Sequence, residues 1–292
     1  MYQIPLGKQP FRPGKTSTLI SCLTLLLSTT PATAVNPETV ETQDPNAPDV
    51  RLIVVYDNNP SAEGLQTAWG FGCVVETGDH RLLFDTGGDG EILLSNMQRL
   101  GISPETIDAV MISHVHGDHL GGLETLLRHH AELPVFIPES FPGRVSRSIE
   151  SAGATPVRVS GPLDILPGIM STGVLSNGIH EQAAVIQSPS GRVIITGCAH
   201  PGIVNMVRET CEHLRTGQIH LILGGFHLRS ASRRRIKRII AQLEELGVQR
   251  AAPCHCSGEN ARTLFREFYG EKYIQTGVGS IIQIRQNTNG GE

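Results

Sequence analysis

The seven residues Ser113-His114-Val115-His116-Gly117-Asp118-His119 put three imidazoles and a carboxylate into one short segment. An apolar run, residues 109–113, leads into it, and residues 120–130 behind it carry apolar side chains at helical spacing. Imidazole nitrogen and carboxylate oxygen are donors that suit zinc, iron or manganese. His114 and His116 are two apart, so in extended backbone they project to the same side. Asp118 and His119 follow the turn and approach from another side, which leaves room for a second ion. The chain must therefore fold so that donors from distant segments reach this loop at the end of a strand.

Several segments are placed to supply them. Apolar runs at 52–56, 70–75 and 82–84, each bounded by Asn, Gly or Asp, read as strands of a mixed or antiparallel sheet. A helix is expected over 90–100, where Ile92, Leu93, Met97 and Leu100 share a face. In the second half, 183–187 and 192–196 read as paired strands around Pro189-Ser190-Gly191. Residues 203–214 read as a helix and 221–223 as a strand. Residues 233–246 form an amphipathic helix; a strand precedes Cys254, a helix spans 259–268, and 280–284 is a last strand. Strands and helices in both halves imply two sheets sandwiched between helices in one continuous domain, 50–292.

Composition narrows the function classes. With 24 basic and 28 acidic residues, a charge of −4 and 4% aromatic content, the chain lacks the basic, stacking surface of a nucleic-acid binder. Residues 1–34 contain Lys8, Arg12 and Lys15 but no acid. An apolar stretch and Pro31-Ala32-Thr33-Ala34 follow, which together read as a secretory signal peptide cleaved after Ala34. A retained N-terminal anchor is the alternative. The Pro- and acid-rich residues 35–49 read as a flexible lead-in. An exported protein, periplasmic or secreted, is expected, with no integral membrane association after cleavage, since no later apolar run nears the roughly 18 residues of a span. Of six cysteines, five remain after cleavage, an odd number that forms no disulfide framework. Cys254 and Cys256 are expected in the core or in a disulfide. His129, His130, His213 and His220 lie outside any motif and are expected at the surface. Arg233-Arg234-Arg235, with Lys237 and Arg238, marks either a solvated helix face or a dock for an anionic substrate or surface.

The loop 113–119 resembles the metal-binding motif of the metallo-β-lactamase superfamily, over about residues 50–286. The resemblance implies a four-layer αββα sandwich holding one or two divalent ions, zinc first, iron or manganese as alternatives. Leu83-Phe84-Asp85-Thr86-Gly87 is similar to the superfamily's first motif, which gives Asp85 a supporting role beside the ligands. Thr196-Gly197-Cys198-Ala199-His200, Gly224-Gly225-Phe226-His227-Leu228 and Pro253-Cys254-His255-Cys256-Ser257-Gly258 resemble one subgroup, named for a dihydropterin-methyl-ribofuranosylaminobenzene phosphate synthase. The implied ligands are His114, His116, Asp118, His119, His200 and His255, with His180 an alternative to His200. Cys198 stands where the superfamily usually has a bridging Asp, as a ligand or as a small buried residue. Asp118 and His227 are the implied catalytic groups. The expected activity is hydrolysis of a small ester-type or phosphorylated substrate by a metal-bound hydroxide. The alternatives are the subgroup's transferase chemistry and a non-catalytic metal carrier or sensor.

Overall fold

Strand alternation explains the architecture. Along β1 (Val50–Asp57), Val50, Leu52 and Val54 point into one apolar layer while Ile53 and Val55 point into another. A sheet whose two faces are both apolar must be covered on both sides. The computed structural model describes residues 47–214 and 218–285, all within the compact unit Thr39–Glu292. The signal peptide and most of the lead-in expected at the N-terminus lie outside the described residues.

The first sheet has the order β15-β1-β2-β3-β4-β5-β6. Its strands are β1, β2 (Phe71–Thr77), β3 (His80–Phe84), β4 (Ala109–Met111), β5 (Pro134–Pro138), β6 (Thr155–Val159) and β15 (Ile281–Ile284). The second has the order β14-β13-β12-β11-β8-β7. It contains β7 (Leu163–Leu166), β8 (Ile169–Ser171), β11 (Ala184–Ser188), β12 (Gly191–Thr196), β13 (Ile219–Gly225) and β14 (Val248–Cys254), and a hairpin of β9 (Leu175–Asn177) and β10 (Ile179–Glu181) stands apart from it. Leu52, Val54, Phe84 and Met111 of the first sheet meet Ile186, Val193, Ile195, Leu221 and Leu223 of the second in a single buried cluster, so the sheets pack face to face.

Helices cover the outer faces. On the first sheet lie α1 (Gly90–Arg99), α3 (Leu123–His129) and α4 (Gly143–Ser151), through Leu93, Met97, Leu126, Leu127 and Ile149. On the second lie α5 (Ile203–Leu214), α6 (Arg233–Glu245) and α7 (Glu259–Tyr269), through Met206, Val207, Ile236, Ile240, Leu243 and Phe265. Each such side chain taken out of water contributes about 1.5–3 kcal/mol. The result is the four-layer αββα sandwich. Among the described residues no helix is long and apolar enough to cross a membrane.

The single helix expected over 120–130 is instead two, α2 (Gly117–Leu120) and α3, interrupted at Gly121-Gly122. Any side chain there would strike backbone: a Cβ on Gly121 meets the Gly88 carbonyl, and one on Gly122 meets the Thr86 carbonyl. The Gly122 amide donates to Gly87 O at 3.2 Å and the Thr86 amide to His119 O at 2.8 Å, which ties the histidine loop to the end of β3.

The parallel portions decide where the site lies. β3 and β4 run parallel, as do β12, β13 and β14, so their C-terminal ends gather at one edge of the sandwich. In parallel α/β sheets, that edge is where ligands bind. Between the two sheets the fully buried Gln182 acts as a polar rivet. Its Nε2 donates to Ile112 O at 2.9 Å and Phe136 O at 3.2 Å, and its Oε1 accepts from Ser171 Oγ at 2.7 Å. Gln182→Leu should leave Ile112 O without this donor and the Ser171 hydroxyl without this acceptor, while Phe136 O keeps the Ile112 amide. It should destabilise the protein by about 2 kcal/mol, read as a lower urea midpoint with an unchanged slope. A midpoint equal to wild type would show that the rivet carries no stability.

Candidate metal centre

Each donor loop leaves a strand at this edge. Asp85 follows β3, residues 113–119 follow β4, 198–200 follow β12, 226–227 follow β13, and 255–256 follow β14. Four non-glycine residues in these loops have positive φ: Asp85 (58°), Ala199 (56°), His227 (52°) and His255 (45°). They are the only such residues among those described. Left-handed backbone at a non-glycine residue costs on the order of 1–3 kcal/mol, so the surrounding contacts must hold all four in place.

Two carboxylates do much of that holding. Asp85 is fully buried. Its Oδ1 accepts from the Ser113 amide at 2.7 Å, and its Oδ2 accepts from Ser113 Oγ and pairs with His119 Nδ1, both at 2.7 Å. Glu181 is equally buried. It accepts the amides of Cys198 (2.9 Å), Ala199 (2.9 Å) and His200 (2.8 Å), clamping the whole 198–200 turn.

The donors converge in two groups. His114, His116 and His200 offer ligand atoms within 4.8 Å of one another, and so do Asp118, His119 and His255. Cys198 forms similar groups with His114 and His119, with His200 and His227, and with His255 and Cys256, so its thiol reaches donors of both sets. Its Sγ is 3.3 Å from His119 Nε2. Other hydrogen bonds fix the outward ring nitrogens: His114 Nδ1 lies 2.8 Å from Ser113 Oγ, and His255 Nδ1 lies 2.9 Å from Asn58 Oδ1. Of the inward nitrogens, His114 Nε2 meets His116 Nδ1 at 3.1 Å, and two others are left over. Nε2 of His200 and of His255 are buried without a hydrogen-bond partner, although His255 Nε2 is 3.4 Å from Asp118 Oδ2.

Protonation suits ligation. Burial, with the neighbouring imidazoles, pushes His114 far below its ordinary value, and burial with His227 lowers His200 to about 4. Burial works to raise the Asp118 carboxyl, but His255 and His119 outweigh it and hold it low. At neutral pH these three are therefore already in the form that binds cations. Burial likewise opposes a proton on His119, yet the Asp85 carboxylate raises it. The hydrogen bond toward Cys256 pushes the Cys198 thiol up, while Cys256, on the accepting side and near His227, is pushed down. Orphaned nitrogens aimed at a ring of nitrogen, oxygen and sulfur donors fit a divalent metal, and among the described residues no protein group bonds them.

Two expectations need correcting. His180 is exposed on the β9–β10 hairpin and belongs to neither donor group; the adjacent Glu181 is the buried residue. Cys254 and Cys256 form no disulfide, and all five described cysteines are free. Cys254 is core, but β14 ends there and a tight turn over 255–257 carries Cys256 into the donor cluster, where its Sγ accepts the His227 amide at 3.3 Å. His129 and His213 are exposed, and His130 and His220 half-buried, all outside the cluster. Sequence reasoning also missed Glu181, Asn58 and Trp69. Trp69 is exposed, its ring 4.8 Å from that of His255 and 5.2 Å below the Arg229 guanidinium. An acid ahead of an apolar strand and a lone tryptophan were the available signals.

Comparison with known proteins agrees with this geometry. The profile of the metallo-β-lactamase superfamily matches residues 73–141. The 7,8-dihydropterin-6-methyl-4-(β-D-ribofuranosyl)-aminobenzene-5'-phosphate synthase of Methanocaldococcus jannaschii is 31% identical over 247 residues, 70% of this chain and 84% of that protein. The crystal structure of Tm1679, a metal-dependent hydrolase of the β-lactamase superfamily, superposes with a TM-score of 0.68 at 26% identity, covering 81% of this chain and 99% of the other. YhfI from Bacillus subtilis, a metallo-β-lactamase fold protein, does so with a TM-score of 0.59 at 16% identity, covering 80% and 99%.

Asp85→Asn tests the clamp, because Asn tolerates the same backbone but cannot accept from both Ser113 and His119. Zinc affinity measured by chelator competition, with Trp69 fluorescence as reporter, should fall about 10- to 100-fold. An unchanged affinity would remove Asp85 from the account of the site.

Proposed function

We propose that this chain, a metal-dependent enzyme that belongs to the metallo-β-lactamase superfamily, hydrolyses a small ester or phosphoester. The observation that carries the reading is the convergence of His114, His116 and His200 on one side, and Asp118, His119 and His255 on the other, around Cys198. Those residues would hold one or two divalent ions, zinc foremost. Such an ion, once bound, supplies Lewis acidity and a water acidic enough to ionise near neutral pH.

The remaining roles belong to the chain. Asp118 is half-buried and ionised, placed between His119 and His255, where it can accept a proton or orient an attacking group. His227 is exposed, and its ring lies 4.5 Å from that of His200. Its hydrogen bond with Cys256 raises its proton affinity despite partial burial, so it can hold a proton for a leaving group. Trp69 and Arg229 wall the side next to His255, limiting solvent there. Export belongs to the same proposal. It rests on the basic, acid-free residues 1–34, and it separates the protein from cytoplasmic pterin intermediates.

The likeness to the Methanocaldococcus synthase favours a second reading, transfer to an organic acceptor. Labelled water separates the two, because hydrolysis places its oxygen in the product and transfer does not. Purified protein should turn over phosphodiester or lactone substrates, lose that activity on chelation, and regain it with metal. His114→Ala and Asp118→Ala should each lower turnover by more than about 100-fold while the protein stays folded by circular dichroism, since even supporting residues of metal sites cost 10–100-fold. Full metal content and full rate in both variants would overturn the mechanism.

A further inference from the structure

Two residues of the basic run on α6, Arg235 and Arg238, face a cavity of about 310 Å³ that opens beside the donor cluster. His200 and His227 line it, together with Arg208 from α5 and Arg235 and Arg238 from α6. No acidic residue lines it, although the chain as a whole carries more acidic than basic groups. Arg235 and Arg238 are exposed and Arg208 is half-buried, so solvent screens their repulsion, and the three guanidiniums leave a positively charged pocket open to an anion.

The neighbouring contacts show which arginines are committed elsewhere. Arg233, at the start of α6, is 3.7 Å from Glu267 and outside the cavity. Arg208 donates from Nη1 to Asn205 Oδ1 at 3.1 Å, which leaves its other donors free. Among the described residues, neither Arg235 nor Arg238 has an ion-pair partner. Gly202, Ile203 and Val204, at the start of the 12-residue α5, also line the cavity, so the positive end of that helix adds to the field.

From this geometry we infer that the cavity seats a terminal phosphate monoester of the substrate, held by Arg208, Arg235 and Arg238, while the bond to be broken lies over the adjacent histidines. A phosphate monoester carries close to two negative charges and three acceptor oxygens. That matches three forked donors better than a carboxylate, whose single charge satisfies one arginine. The inference builds on the metal-dependent reading of the neighbouring cluster and narrows its substrate to phosphorylated molecules. Here the basic face of α6 is a recognition element.

The test is calorimetric titration of the metal-loaded full chain with phenyl phosphate, benzoate and phenol. Wild type should bind phenyl phosphate at least about tenfold more tightly than benzoate, with phenol weakest, because each charge-assisted hydrogen bond contributes of the order of a tenfold factor. R235Q/R238Q should keep its metal and lose at least about 30-fold in phenyl phosphate affinity. Arg208→Gln, on the other helix, gives an independent loss if the double variant misfolds. His114→Ala, depleted of metal, should retain the arginine-dependent part of the binding. The inference is overturned if both arginine variants bind phenyl phosphate as wild type does, or if all binding disappears with the metal. Lack of turnover in wild type would defeat the hydrolytic reading and leave this binding result standing.

Discussion

The Asp85 carboxylate is the interaction on which the rest depends. Buried at the end of β3, it accepts from the amide and the hydroxyl of Ser113 and pairs with the His119 ring. Those bonds fix both ends of the histidine loop. Ser113 in turn holds the His114 ring, so one carboxylate orients two imidazole donors of opposite groups. A buried charge of this kind is costly unless fully bonded, and here the bonding is complete. Gly197 keeps the arrangement tight, because a Cβ there would strike Ser113 Oγ.

Glu181, on the β9–β10 hairpin, repeats the device for the loop that follows β12. It receives three consecutive amides from 198–200 and stabilises Ala199 in left-handed backbone. Burial holds its carboxyl above the usual range despite those bonds. Asp57, at the end of β1, accepts the His255 amide at 3.0 Å and supports the third strained turn. Buried acids thus hold three of the four strained positions, and the fourth, His227, is held through its amide by Cys256 Sγ, with the Phe226 amide on Ser257 Oγ.

The donors were legible in the sequence because their chemistry is written in residue type, and the resemblance to a known superfamily joined motifs far apart in the chain. The strands and helices of residues 50–111 and 183–284 follow from apolar runs and their spacing. Residues 134–181 gave no comparable signal. β6 and β7 are edge strands with mixed exposure, Pro156 interrupts the pattern, and β9 and β10 are only three residues each. Supporting residues were harder still. Nothing local distinguishes Glu181 from a surface acid, because its role is created by amides that reach it only when β12 is in place. The break between α2 and α3 was hidden for the same reason: a helical pattern across Gly121-Gly122 says nothing of the carbonyls pressed against them. The place of Cys256 among the donors is equally hidden, because β14 ends at Cys254 and the tight turn that follows has no signal in residue type.

The gathering of every donor loop at strand ends of two different sheets has a consequence for biogenesis. No short stretch of the newly made polypeptide contains a complete coordination set, since His200 and His255 arrive only after β12 and β14 have docked. A complete donor set thus exists only where both sheets are formed, unlike a zinc finger, whose donors lie in one short segment. The coordination geometry is therefore a property of the assembled sandwich and of no shorter segment.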